Sequence, residues 1–74
     1  MTFYETLKHA ETADGMSVYA VLATEKFETH STYELHIGRE GYDFEVIHTA
    51  KTTWRKKFNE IVNEHGGTKG NADH

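Results

Sequence analysis

Residues 31–48, STYELHIGREGYDFEVIH, limit what this chain can fold into more than any other stretch. Tyr33, Leu35 and Ile37 alternate with Thr32, Glu34 and His36. Tyr42, Phe44 and Val46 alternate with Asp43, Glu45 and Ile47. Side chains on a strand alternate between faces, so two such runs predict a β-hairpin with one apolar side. Folding at Arg39-Glu40 predicts the inner pairs Ile37–Tyr42, Leu35–Phe44 and Tyr33–Val46. It predicts His36–Asp43 and Glu34–Glu45 on the outer side. A one-residue slip would move each set to the other face.

The flanking segments extend this reading. Thr2 with Glu5 three residues on reads as a capping box, and Phe3, Leu7 and Ala10 fall on one helical stripe, so residues 2–13 are expected to be a helix ended by Asp14-Gly15. Residues 16–24, MSVYAVLAT, are rich in β-formers and predict a strand with Met16, Val18, Ala20 and Leu22 inward. Turning at Lys26-Phe27 sets Leu22 against Ser31, Ala20 against Tyr33 and Val18 against Leu35. Trp54, Phe58, Ile61, Val62 and His65 form a continuous stripe, so residues 49–65 predict a second helix, capped by Thr49 or Thr52 and ended by Gly66-Gly67. The expected fold is α+β: a two-layer sandwich of helix, three-stranded antiparallel meander and helix, with both helices on one sheet face. Residues 1–67 form a single domain in this reading, and residues 68–74 a flexible C-terminal tail.

Composition narrows the function classes. The 74 residues contain no cysteine, which excludes disulfides and thiolate zinc sites. No apolar run approaches a membrane span and no signal-peptide pattern is present, so the expectation is a cytoplasmic protein without a membrane partner. Neither a nucleophile elbow nor a glycine-rich phosphate loop occurs, and the expected protein is not an enzyme and uses no cofactor. Six histidines are present, but a flat sheet face spreads its side chains, so no metal site is expected. Residues 1–48 carry nine acids and three bases; residues 49–74 carry five bases and three acids. This asymmetry bears on partners.

Two surfaces follow. The outer sheet face would expose Glu34, Glu45, Asp43 and His36 beside Tyr19 and Val21. Like charges set opposite each other are unfavourable, so Glu34 facing Glu45 calls for a cationic partner. An apolar centre with a charged margin suits an interface. The expected function is therefore a small protein-binding modulator or inhibitor, of the kind common among phage-encoded host or defence inhibitors. Its acidic face would mimic nucleic acid toward a target protein with a basic surface, such as a nucleic-acid-binding protein. A homodimer through a Tyr19/Val21/Ile47 strip or a free strand edge is a further expectation.

The second surface is the cluster Lys51, Arg55, Lys56 and Lys57 at the start of the last helix, a candidate phosphate site. With the order helix, three strands, helix, it resembles the topology of the double-stranded-RNA-binding domain. The resemblance spans residues 3–65. It implies RNA contacts from Glu5 in the first helix, His30 in the loop, and the four cations. Glu28-Thr29-His30 stands where that family carries Gly-Pro-x-His, and Lys51-Thr52-Thr53-Trp54-Arg55 stands at its lysine-rich signature. Direct nucleic-acid binding is accordingly the alternative function.

Overall fold

A computed structural model of the chain describes residues 2–25 and 31–69. It has four strands and one helix: β1 (Thr2–Glu11), β2 (Ser17–Glu25), β3 (Ser31–Gly38), β4 (Glu45–Thr49) and α1 (Trp54–Glu64). The strands form an antiparallel sheet in the order β1-β2-β3-β4, and α1 packs across β2 and β3 on one face. The fold is mostly β. The expected helix–three-strand–helix sandwich is wrong, because residues 2–11 form a strand.

The reason lies in one extra residue. Thr6 pairs with Val21 and Lys8 with Ala20, leaving Leu7 as a bulge on an edge strand. A bulge shifts the two-residue alternation by one. Phe3 and Glu5 therefore share a face with Lys8 and Ala10, and Leu7 also reaches the core. Phe3, Leu7 and Ala10 sit at helical spacing for this reason. Asp14-Gly15 does not end a helix. It turns the β1–β2 hairpin, with Thr12 N–H donating to Met16 O at 2.8 Å and Gly15 at φ 91°.

The core lies between the sheet and α1. Val18, Ala20, Leu35 and Ile37 meet Trp54, Phe58, Ile61 and Val62, with Leu7, Ala10, Met16, Tyr33 and Ile47 around them. The inward side of β2 is as expected. Its register against β3 is displaced by two residues, with Val18 opposite Ile37 and Ala20 opposite Leu35. An even displacement keeps every side chain on its face. The expected turn at Lys26-Phe27, and His30, lie outside the described residues.

The hairpin of residues 31–48 departs further. Tyr42 N–H donates to Arg39 O in a turn with Gly41 at φ 89°, and β4 starts only at Glu45. Ile37 pairs with Glu45, Leu35 with Ile47, and Tyr33 with Thr49. This is an odd displacement, so it turns β4 over. Ile47 faces α1, while Val46 and His48 face away. Trp54 and Phe58 share the core with Leu35, but Phe44 and Val46, expected on the inner side of the hairpin, take no part in it.

The helix starts at Trp54 rather than Thr49, with Thr53 at the N-cap. Its other end is tied to the β1–β2 turn. Ala13 N–H donates to Gly67 O at 2.9 Å, Thr68 bridges Thr12, and Lys69 N–H donates to Glu11 O at 2.6 Å. Residues 68 and 69, assigned above to a tail, thus run beside β1. Residues 70–74 lie outside the described residues. Among the described residues no helix is long and apolar enough to cross a membrane.

Candidate functional site: the open face of the sheet

The sheet face away from α1 has no element packed over it among the described residues. Strand pairing defines its rows. One row is His9–Tyr19–His36–Val46, and the next is Thr6–Val21–Glu34–His48. Beyond them lie Glu11–Ser17–Gly38 at one end and Tyr4–Ala23–Thr32 at the other.

Aromatic side chains cover the middle. His9 stacks on Tyr19, with centroids 4.2 Å apart and planes 4° from parallel. Phe44 lies 6.0 Å from Tyr19, tilted by 50°. Tyr4 meets His36 edge-on at 6.0 Å. Between them opens a groove of about 310 Å³ lined by Tyr4, Tyr19, Val21, His36 and Phe44. These rings explain why Val21, on the open face, is only 7% exposed while Tyr4 remains 61% exposed. Gly38 makes the arrangement possible. A Cβ there would stand 2.8 Å from Phe44 Cγ and 3.0 Å from its Cα.

Carboxylates stand at the polar tips of this lining. Glu34 Oε1 lies 3.0 Å from His36 Nε2, and its Oε2 lies 3.8 Å from His48 Nε2. Glu34 is largely covered, with its side chain 14% exposed. Tyr19 donates its hydroxyl to Glu40 Oε1 at 3.2 Å. Burial, then Glu40, pushes the Tyr19 phenol up from its ordinary value. Besides Tyr4 and Tyr19, the ionisable strand residues facing this side are His9, Glu11, Glu25, Glu34, His36 and His48. Lysine and arginine are missing from that set.

Compared with known proteins, the chain matches no family model, no curated protein and no solved structure.

The expected interaction residues are divided by these pairings. Tyr19, Val21, Glu34 and His36 share the open face. Glu45 lies on the α1 side opposite Ile37, and Asp43 is exposed in the loop before β4. The expected pairs Glu34–Glu45 and His36–Asp43 do not form; Glu34 faces His48 and His36 faces Val46. The like-charge clash is absent, because a histidine stands opposite the glutamate. Ile47 is on the other face from Tyr19 and Val21, so the expected three-residue strip does not exist.

Lys51, Arg55, Lys56 and Lys57 are all exposed, and the Arg55 guanidinium lies 5.0 Å from the Trp54 ring centroid. With β1 in place of a first helix, the topology shared with the double-stranded-RNA-binding domain is lost. Glu5 stands on a strand, opposite Leu22.

Tyr4, His9 and Phe44 belong to the open face and were not among the expected site residues. Two signals point to them. Tyr4 and Thr6 alternate with Phe3 and Glu5, and Asp14-Gly15 between two β-rich runs is a strong hairpin signal. Phe44 needed the loop length, which the spacing of glycines leaves open.

Proposed function

We propose that this protein works by binding a partner protein through its open sheet face, and that the partner brings positive charge to it. It acts as a small modulator or inhibitor rather than as a catalyst. The observation that carries this reading is an aromatic sheet face whose strand residues include carboxylates and histidines but no lysine or arginine. An apolar centre with a charged margin is the anatomy of a protein interface. Aromatic side chains supply most of the binding energy at such surfaces. Complementary charge raises the association rate and selects the partner. A nucleic acid fits poorly, because a phosphate backbone would meet Glu34, Glu11 and Glu25. Glu45 and Asp43 drop out of the contact set, and Tyr4, His9 and Phe44 enter it.

The test is affinity capture from cell extract with three proteins: the wild type, the double variant Tyr4→Ala/Glu34→Lys, and the double variant Lys56→Glu/Lys57→Glu. The expected result is a protein held by the wild type and by the helix variant, released by salt, and lost from the open-face variant. Capture that survives the open-face changes but not the helix changes overturns the reading.

A further inference from the structure

We infer that the groove between Tyr4, Tyr19 and Phe44 receives an arginine side chain of the partner. The inference rests on the open-face reading and names the contact at its centre. The groove has the two properties a guanidinium needs. Its walls are ring faces and edges: Tyr4, Tyr19, Phe44 and the imidazole of His36, over a floor that includes Val21. A cation is attracted to the face of an aromatic ring, and arginine suits this best, because its planar group stacks and gives up its hydration readily. The second property is anionic tips. The Glu34 carboxylate is 3.0 Å from His36, and Glu40 is 3.2 Å from the Tyr19 hydroxyl.

Size agrees. At about 310 Å³ the groove stands at the small end of ligand sites, enough for one long side chain. Charge agrees as well, since no lysine or arginine of the strands shares the face and competes for the rings. The chain's own cations already use this contact on the other layer: Lys8 Nζ lies 5.1 Å from the Phe58 ring and Arg55 5.0 Å from Trp54. On the open face the rings are in place, and the described strands bring no lysine or arginine to them.

The test is a titration of the isotopically labelled protein, followed by amide chemical shifts, with three blocked tripeptides: Ala-Arg-Ala, Ala-Lys-Ala and Ala-norleucine-Ala. The expected result is a saturable shift confined to residues around Tyr4, Tyr19, His36 and Phe44, strongest for the arginine peptide and absent for norleucine. Phe44→Ala and the more exposed Tyr4→Ala should each weaken it by about two- to thirtyfold, the range of a single cation–ring contact. Glu34→Gln should weaken it, with spectral changes in the free protein confined to the surroundings of Glu34, His36 and His48. Equal shifts from norleucine would make the groove merely apolar and overturn the inference. Lysine binding more tightly than arginine overturns it too, as does the lack of saturable shifts. The two proposals fail separately. Partner capture that depends on the open face without arginine binding sinks only the groove; arginine binding with capture indifferent to the face sinks only the proposed function.

Discussion

At the scale of single residues, the turn between β1 and β2 concentrates more bonding than its length suggests. Thr12 is fully buried, its hydroxyl accepts the Met16 N–H at 2.9 Å, and it donates to Asp14. Asp14 also meets His65 Nδ1 at 2.7 Å. Thr12→Val keeps the shape but leaves the Met16 N–H without its acceptor, so the expected loss is about 1–3 kcal/mol by urea unfolding. A loss indistinguishable from zero would show that the hydroxyl is replaceable. The same cluster predicts a pH dependence. The Thr12 hydroxyl, and then His65, hold the Asp14 carboxyl below the ordinary aspartate range. A depressed carboxyl stabilises the fold above its unfolded value, about 4, and that contribution fades as pH falls through the folded value. The gap in unfolding midpoint between wild type and Asp14→Asn should therefore close as pH falls below about 4. A gap that widens in acid would be the wrong sign.

At the scale of elements, the helix and the third hairpin arm behave differently under substitution. Phe58 is the largest fully buried side chain, 2% exposed, at the centre of the stripe that holds α1 to the sheet. Phe58→Ala should cost about 3–5 kcal/mol, a large part of what so short a chain commands. Gly38→Ala should act locally instead. Its new methyl would collide with the Phe44 backbone, so Phe44 moves off Tyr19 while the Trp54–Phe58 core stays intact. The measurable pair is a lowered thermal midpoint with the fold retained, because a backbone atom must give way, and changed ring contacts between Tyr19 and Phe44 in nuclear Overhauser spectra; a retained contact refutes the steric argument. These two elements also mark what was legible. Trp54, Phe58, Ile61 and Val62 all proved buried, since a stripe at spacings of three and four has one reading on a helix. Val18 and Ala20 proved inward for a similar reason. The first strand was misread because a bulge at Leu7 gives a strand the odd step of a helix. β4 was misread because Tyr42, Phe44 and Val46 alternate as well as Glu45, Ile47 and Thr49 do, and only loop length chooses between them. Of the candidate site, Glu34, His36, Tyr19 and Val21 came from β2 and β3, whose relative error was even; Glu45 came from β4, whose error was odd.

At the scale of the whole molecule, the protein is a slab, with extents of 44 × 28 × 17 Å. One sheet and one helix leave a single cored interface and a bare face. Such a molecule cannot draw stability from the open side without closing it to partners. The alternative is to tie the helix at its end. The bonds from Ala13 N–H to Gly67 O and from Lys69 N–H to Glu11 O do this, and they join the last described segment to the end of the first strand and its turn. A chain stopped at Gly67 keeps the Ala13 bond but loses the Lys69–Glu11 bond, and with it the Thr12–Thr68 pairing that the two bonds define. At about 0.5–1.5 kcal/mol for a hydrogen bond, loss of this one bond sets the expected destabilisation. For a domain of this size that lowers the melting midpoint by roughly 4–8 °C per kcal/mol. The groove should not register the change, because none of Tyr4, Tyr19, Val21, His36 and Phe44 bonds to the clasp: the arginine tripeptide should bind the shortened chain as it binds the full one. A midpoint that does not move would mean that the clasp adds nothing beyond the Trp54–Val62 stripe. A lost groove would mean that the two faces are coupled through the sheet, contrary to the separation of stability and recognition argued here.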